Sequence, residues 1–195
     1  MEATRTSGAR RIPRFLLDLG TLPVAAGTVV AINAVYIGLV AFGNITDYDT
    51  NEAFVHHVLA MDTINFGGKP GENLDPDVIW RAMKSPALQT ASYIGIIVWE
   101  CLTTAVLGVA TGAWLLACRH RSFDVARRLS TLGLLMLLAL FMGGFITLGG
   151  EWFQMWRSAA WNGLEPAFRN SVLVALGLVL CHLPSPDWGA PTRTP

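Results

Sequence analysis

Charged side chains are spaced so unevenly along this chain that its apolar blocks can be read off directly. Residues 22–42, 129–148 and 170–181 carry none, and 85–118 carries only Glu100. About 20 apolar residues in a helix cross the roughly 30 Å of a bilayer's hydrocarbon. The pattern therefore predicts four spans, at about 22–42, 90–117, 129–148 and 167–183. The second block is longer than a crossing needs, so it has room to tilt or to extend past the lipid. The fourth is short and has to borrow residues upstream of Phe168. The expected fold class is all-α: a four-helix transmembrane bundle forming one integral membrane domain over 1–195. Outer loops at 44–84 and 149–166 are expected to supply an extracytoplasmic cap of short helices.

The first loop carries helix signals of its own. Phe54, Val55, Val58 and Leu59 recur at helical spacing, predicting an amphipathic helix over about 50–62 whose apolar face covers the bundle mouth or the lipid surface. Asp49 and Glu52, three apart, fit an acidic form of the capping box at its start. Gly67 to Asn73 reads as a flexible turn region, and Asp75-Pro76 opens a short helix through Trp80. Thr21 is a candidate cap for the first span, Gly43-Asn44 a candidate stop, Ser85-Pro86 and Glu165-Pro166 helix starts, and Gly149-Gly150 the end of the third span.

Composition agrees with a membrane location. Hydrophobic residues make up 52% of the chain and charged ones 14%, against roughly a quarter charged in soluble domains. Zero net charge argues against a nucleic-acid partner. Residues 22–42 are too long for a signal-peptide core and read as a retained span. Cys101, Cys118 and Cys181 all fall in or at the ends of spans, so no disulfide framework is implied. Arg5, Arg10, Arg11 and Arg14 precede the first span, and Arg119, Arg121, Arg127 and Arg128 crowd the next connection on that side. The 44–84 loop instead sets seven acids against Lys69, Arg81 and Lys84. The positive-inside rule then predicts both termini and the 118–128 loop cytoplasmic, with the 44–84 and 149–167 segments outside. Arg10 to Leu19 mixes arginines with bulky apolar residues and suits the inner membrane surface. Tyr93, Trp152, Trp156 and Trp161 are placed near the outer interface and Trp114 near the inner one.

Candidate chemistry is sparse. A charged carboxylate at mid-helix costs about 2.5–3.5 kcal/mol on the insertion scale, so Glu100 should be neutral or paired. It is expected to approach the midplane, with Asn33, midway along the first span, as its hydrogen-bond partner. Two readings fit: a carboxyl that binds a proton or cation, or a polar lock between helices. On the outer face the candidates are Glu151, Trp152, Trp156 and Arg169, with Asp47 and His56 in the first loop. Glu151 to Trp156 reads as an interfacial aromatic belt or as a platform for a lipid, quinone or partner helix. Arg157, Arg169 and Glu151 are expected to pair across the loop. Asp47-x-Asp49-x-Asn51 begins like a calcium loop, but Glu52 stands where glycine is needed and Val58 where a bidentate glutamate is needed. Glu52 and His56, four apart, read as a surface pair and not as a metal site. Gly108-x-x-x-Gly112 in the second span and Ala34 with Gly38 in the first mark close helix contacts, within the bundle or to a membrane partner or second copy. No catalytic constellation, phosphate loop or metal set is present, and no histidine lies mid-span to ligate haem.

The run Asn44-Ile-Thr-Asp-Tyr-Asp-Thr-Asn51 with Phe54 to Thr63, Tyr93 to Glu100, Glu151-Trp-Phe-Gln-Met-Trp156 and Trp161-Asn-Gly163 resembles a family of small predicted bacterial inner-membrane proteins of unknown function. The resemblance covers about 44–169 and implies a four-span bacterial membrane protein, with no catalytic or binding residue to carry over. The leading expectation is a non-enzymatic accessory or assembly subunit that packs with other membrane proteins. The alternatives are a small proton-coupled transporter subunit using Glu100 and a membrane redox protein binding a quinone or haem. The sequence itself names no cofactor.

Overall fold

The computed structural model describes Leu17, residues 19–120 and residues 122–188. Arg5, Arg10, Arg11, Arg14 and Arg121, which carry most of the orientation argument, lie outside the described residues, as does most of the 10–19 segment. Four helices are long and apolar enough to cross a membrane: α1 (Leu22–Thr46), α3 (Pro86–His120), the third span Asp124–Trp152 and α5 (Leu164–His182). A shorter helix, α2 (Tyr48–Ala60), follows α1 after one residue. Proline sits in the first turn of α1 as Pro23 and opens α3 as Pro86, where a missing amide costs nothing.

The spans close into a ring in which α1 packs on α3, α3 on the third span, that span on α5, and α5 back on α1. The buried positions explain the geometry. Along α3 they are Tyr93, Glu100, Thr103, Leu107, Ala110, Trp114 and Ala117, and along α5 Ala167, Ser171, Val174, Gly177 and Cys181. Steps of three and four residues keep one stripe turned to the neighbour, the pattern of shallow left-handed packing. Only 22–33% of each span's most apolar stretch is buried in the bundle. Ile32, Leu39, Phe42, Leu102, Val109, Leu115 and Leu173 are more than half exposed, which suits lipid and not water.

Small residues set how closely the helices approach. A methyl added at Gly38 would meet Thr104 of α3 at 3.2 Å, so the Ala34/Gly38 step is a contact within the bundle. Gly108 and Gly112 behave differently, since an added methyl at either meets nothing within 4 Å. α3 turns its Tyr93–Leu107–Trp114 stripe inward, which leaves these glycines on its open side, so of the two contacts expected for them the one within the bundle is not made. Gly133 is the tightest position: an added methyl falls 2.5 Å from Leu107 Cδ2.

The third span starts as α4 (Asp124–Leu138) and continues as a π-helix over Ala139–Trp152. Gly149-Gly150 does not end it. The wider i to i+5 bonding runs on to Phe153, whose amide donates to Leu148 O at 2.9 Å.

At one end of the bundle the chain builds a cap. The helix expected over 50–62 begins at Tyr48 instead, because α1 runs through Gly43-Asn44 to Thr46 and the chain breaks only at Asp47. Asp49 therefore lies in the first helical turn and caps nothing, while Asp47 accepts a hydrogen bond from Thr50 at 3.0 Å. Val55 and Val58 are buried, and Phe54 packs against Phe145 and Trp161, so the apolar face of α2 covers the bundle mouth. The expected helix from Asp75 to Trp80 is a short 3₁₀ turn, Ile79–Arg81. Met61, Ile64 and Val78 form a small core with Phe153. Asn65 pins the glycine-rich turn by donating to Lys69 O at 2.7 Å and Glu72 O at 2.8 Å. Arg157 clasps the two outer segments: it bonds Asp75 at 2.7 Å, its guanidinium stacks on Phe66 and Trp156, and its carbonyl accepts from the Phe66 amide. That hydrogen bond from Arg157 holds the Asp75 carboxyl below the usual range.

Two outcomes follow from this packing. Gly133→Val should lower thermal stability in detergent by about 1–3 kcal/mol, the cost of overpacking a close helix contact, whereas Gly108→Val should leave it nearly unchanged. A depressed Asp75 pKa means the clasp is fully formed above the unfolded value of about 3.9 and is lost as pH falls below it. Exchange protection of the Phe66 amide, corrected for intrinsic rate, should therefore hold from about pH 8 down through the usual carboxylate range and be lost only as pH falls through the depressed value below it. In Asp75→Asn that acid-dependent loss should disappear.

Candidate functional site

Glu100 lies fourteen residues into α3, on the face that also carries Thr90 and Tyr93. It is 3% exposed, so its carboxyl has been taken out of both water and lipid. The group that meets it is Asn44, in the last turn of α1, whose amide nitrogen donates to Glu100 Oε2 at 2.8 Å. Asn33 is not the partner. It donates to Val29 O at 2.9 Å, on its own helix one turn back. The reason is vertical position: Glu100 is level with the end of α1 and not with its middle, and Asn33 lies eleven residues away, about 16 Å along the axis.

Asn44 is itself held from two sides. Asn51, in the first turns of α2, donates to Asn44 Oδ1 at 2.6 Å, and the Tyr93 hydroxyl donates to Asn44 O at 3.3 Å. The second bond satisfies one of the terminal carbonyls that α1 would otherwise leave open. The Asn51–Asn44–Glu100 chain runs in one direction, so each bond polarises the next in a low-dielectric setting. Glu100 Oε1 has no hydrogen-bond donor among the described residues.

The carboxyl lines a cavity of ≈ 240 Å³ beneath α2. Tyr36, Asn44, Asn51, Tyr93 and Asn170 supply the rest of its polar lining, and Phe54, Phe141 and Phe145 much of its apolar wall. Asn170 of α5 donates to the Tyr36 hydroxyl at 2.8 Å, tying α5 to α1 at this level. Toward the cap surface, Thr90 donates to Glu52 at 3.3 Å and lies 3.4 Å from His56 Nε2. Thr90, Tyr93 and Glu100 thus form a polar face about 15 Å long on one helix. Glu52 and His56, which Thr90 meets, line a separate cleft of ≈ 440 Å³ with Asp49, His57, Asp62 and Gln89.

The other sequence candidates separate. His56 lies 3.7 Å from Glu52, and no metal-holding group of three acids, histidines or cysteines occurs among the described residues. Asp47 is exposed at the α1–α2 joint, outside the cavity lining. Among the described residues Arg169 pairs only with Glu165, at 3.7 Å on an exposed helix face, and Arg157 pairs with Asp75. Glu151 has no ion pair among the described residues, so the expected cross-loop cluster is absent there. Trp152 and Trp156 are half exposed, packing edge-to-face against Trp80 and Phe66 respectively. Tyr93 and Trp114 turn inward and belong to no interfacial belt, because each finds a polar partner inside: Asn44 for Tyr93 and Ser130 for Trp114, at 2.8 Å.

Asn44 and Asn51 were the residues that sequence reasoning missed. Their signal was two asparagines on either side of a helix-to-helix joint. The Gly43-Asn44 stop signal hid it.

A family model described as predicted small integral membrane protein (DUF2165) matches residues 22–184, and the chain belongs to this family. Searches of curated proteins and of solved structures gave no match.

Removing the donor to a buried carboxyl should be costly. Asn44→Ala is expected to destabilise the detergent-solubilised protein by about 1–3 kcal/mol, read by thermal unfolding. Glu100→Gln keeps an acceptor for Asn44 and should cost less than Asn44→Ala.

Proposed function

We propose that this small integral membrane protein is a non-enzymatic carrier subunit that loads a proton or small cation on Glu100. One observation carries the reading: a buried carboxyl with one oxygen held by Asn44 and the other without a protein donor among the described residues, on the wall of a ≈ 240 Å³ cavity. A purely structural lock would be expected to engage both oxygens and leave no space beside them. The Thr90–Tyr93 face gives the site a polar approach from the acidic, histidine-bearing cleft of the cap. The charge pattern of the whole sequence supports an inner-membrane orientation with the cap outside and both termini cytoplasmic. Loading would then occur from the outer side.

A second reading, the accessory or assembly subunit, is supported by the open Gly108/Gly112 side of α3, where a second copy or another membrane helix has room for close approach. The two readings are compatible, because a lone four-helix unit offers little room for a complete pathway.

The test is flux in proteoliposomes of the full chain under an imposed membrane potential, followed by an internal pH dye. The wild type should acidify the lumen faster than protein-free vesicles do. Glu100→Gln should fall to the protein-free rate while keeping its melting temperature. Equal rates for Glu100→Gln and wild type would refute the carrier reading.

A further inference from the structure

α3 packs along the α-helical half of the third span and parts from its π-helical half toward the cap. Into that fork opens a second cavity, ≈ 310 Å³, roofed by Val58 and Leu59 of α2 and walled by Met83, Leu140, Phe145 and Phe153. Its volume is at the lower end of the roughly 300–1,000 Å³ typical of ligand sites. The one hydroxyl in its lining, Ser92, already donates to Leu88 O at 2.7 Å. Nothing inside can read a polar group, so the cavity suits hydrocarbon.

The charge lies beside it. Arg81 is two residues from Met83, and its guanidinium sits over the rings of Trp80 at 5.6 Å and Trp152 at 5.4 Å. Trp152 in turn precedes Phe153, another wall residue. Arg81 has no ion pair among the described residues, and its Nε is buried without a hydrogen-bond partner. A buried N–H on a permanent cation is costly to leave unmet. Arg157 Nε is unmet in the same way, but that guanidinium has Asp75 on Nη1. Lys84, exposed three residues on, adds a second positive charge. Tryptophan and arginine are side chains that settle at lipid headgroup depth.

We propose that this fork is a binding site for one anionic phospholipid: an acyl chain fills the cavity between α3 and the π segment, and the phosphate is held by Arg81. Charge complementarity selects the occupant. The planar guanidinium matches a phosphate bidentately, and two wall residues of the cavity, Met83 and Phe153, adjoin the segment of Arg81 and its ring partner Trp152. The site shares the wall formed by Phe54, Val55, Ile96 and Phe145 with the Glu100 cavity, but it uses neither Glu100 nor Asn44 and stands whether or not Glu100 carries ions.

The experiment is native mass spectrometry of the full chain in mild detergent, titrated with phosphatidylglycerol and, in parallel, phosphatidylcholine of the same chains. The wild type should retain one phosphatidylglycerol in preference to phosphatidylcholine. Arg81→Gln should reduce that preference about tenfold, the loss of one charge-assisted hydrogen bond. Gly144→Leu should abolish retention of both lipids, because Gly144 lines the cavity and an added methyl there meets only Ala139 O at 3.9 Å, leaving the fold intact. Inorganic phosphate at equal concentration should not displace the lipid. Equal retention of the two lipids by the wild type, an unchanged preference in Arg81→Gln, full retention in Gly144→Leu, or displacement by inorganic phosphate would each overturn the proposal.

Discussion

A carboxyl group inside an apolar helix has to be met by a donor, and most of the cap end is arranged around meeting this one. Glu100 receives the Asn44 amide, Asn44 receives Asn51, and the Asn44 carbonyl receives Tyr93. These residues come from α1, α2 and α3, so one short chain of hydrogen bonds fixes where three helices meet. It also explains why α1 continues through glycine and asparagine to Thr46: only an unbroken last turn carries Asn44 to the level of Glu100. Placing α2 directly afterwards brings Asn51 to the far side of the same amide.

The cap solves a second problem imposed by lipid. Where α3 and the π segment diverge, backbone and side chains at the bundle mouth would be left without neighbours. α2 lays Val55 and Val58 over the gap, and the Arg157–Asp75 clasp ties the two outer segments into one unit. Apolar side chains on the outside of the bundle remain exposed because hydrocarbon, and not water, surrounds them.

Much of this was legible in the chain because a bilayer enforces composition as well as pattern. A water-soluble helix has to keep charge on its wet face, whereas a span has to shed it over the whole hydrocarbon depth. The four uncharged stretches therefore stood out, and one acid within them drew attention to Glu100. Boundaries were harder to read. Gly43-Asn44 and Gly149-Gly150 are stop signals in water, where freed backbone groups bond solvent; in a membrane those bonds have no replacement and the helices run on. The choice of Asn33 over Asn44 followed from that error. Gly108 and Gly112 showed that small residues announce a close contact without saying with what. The π geometry of 139–152 left no local signal, since apolar residues and glycines suit several helical forms.

The joint at Asp47 has a further meaning. With a single residue between α1 and α2, the roof over Glu100 follows directly from the helix end that holds the carboxyl's partner. Moving it aside would pull Asn51 from Asn44 and disturb the Asn44 bond to the carboxyl. The roof over the chamber and the bond to its carboxyl therefore form one structural unit, and disturbing either disturbs both.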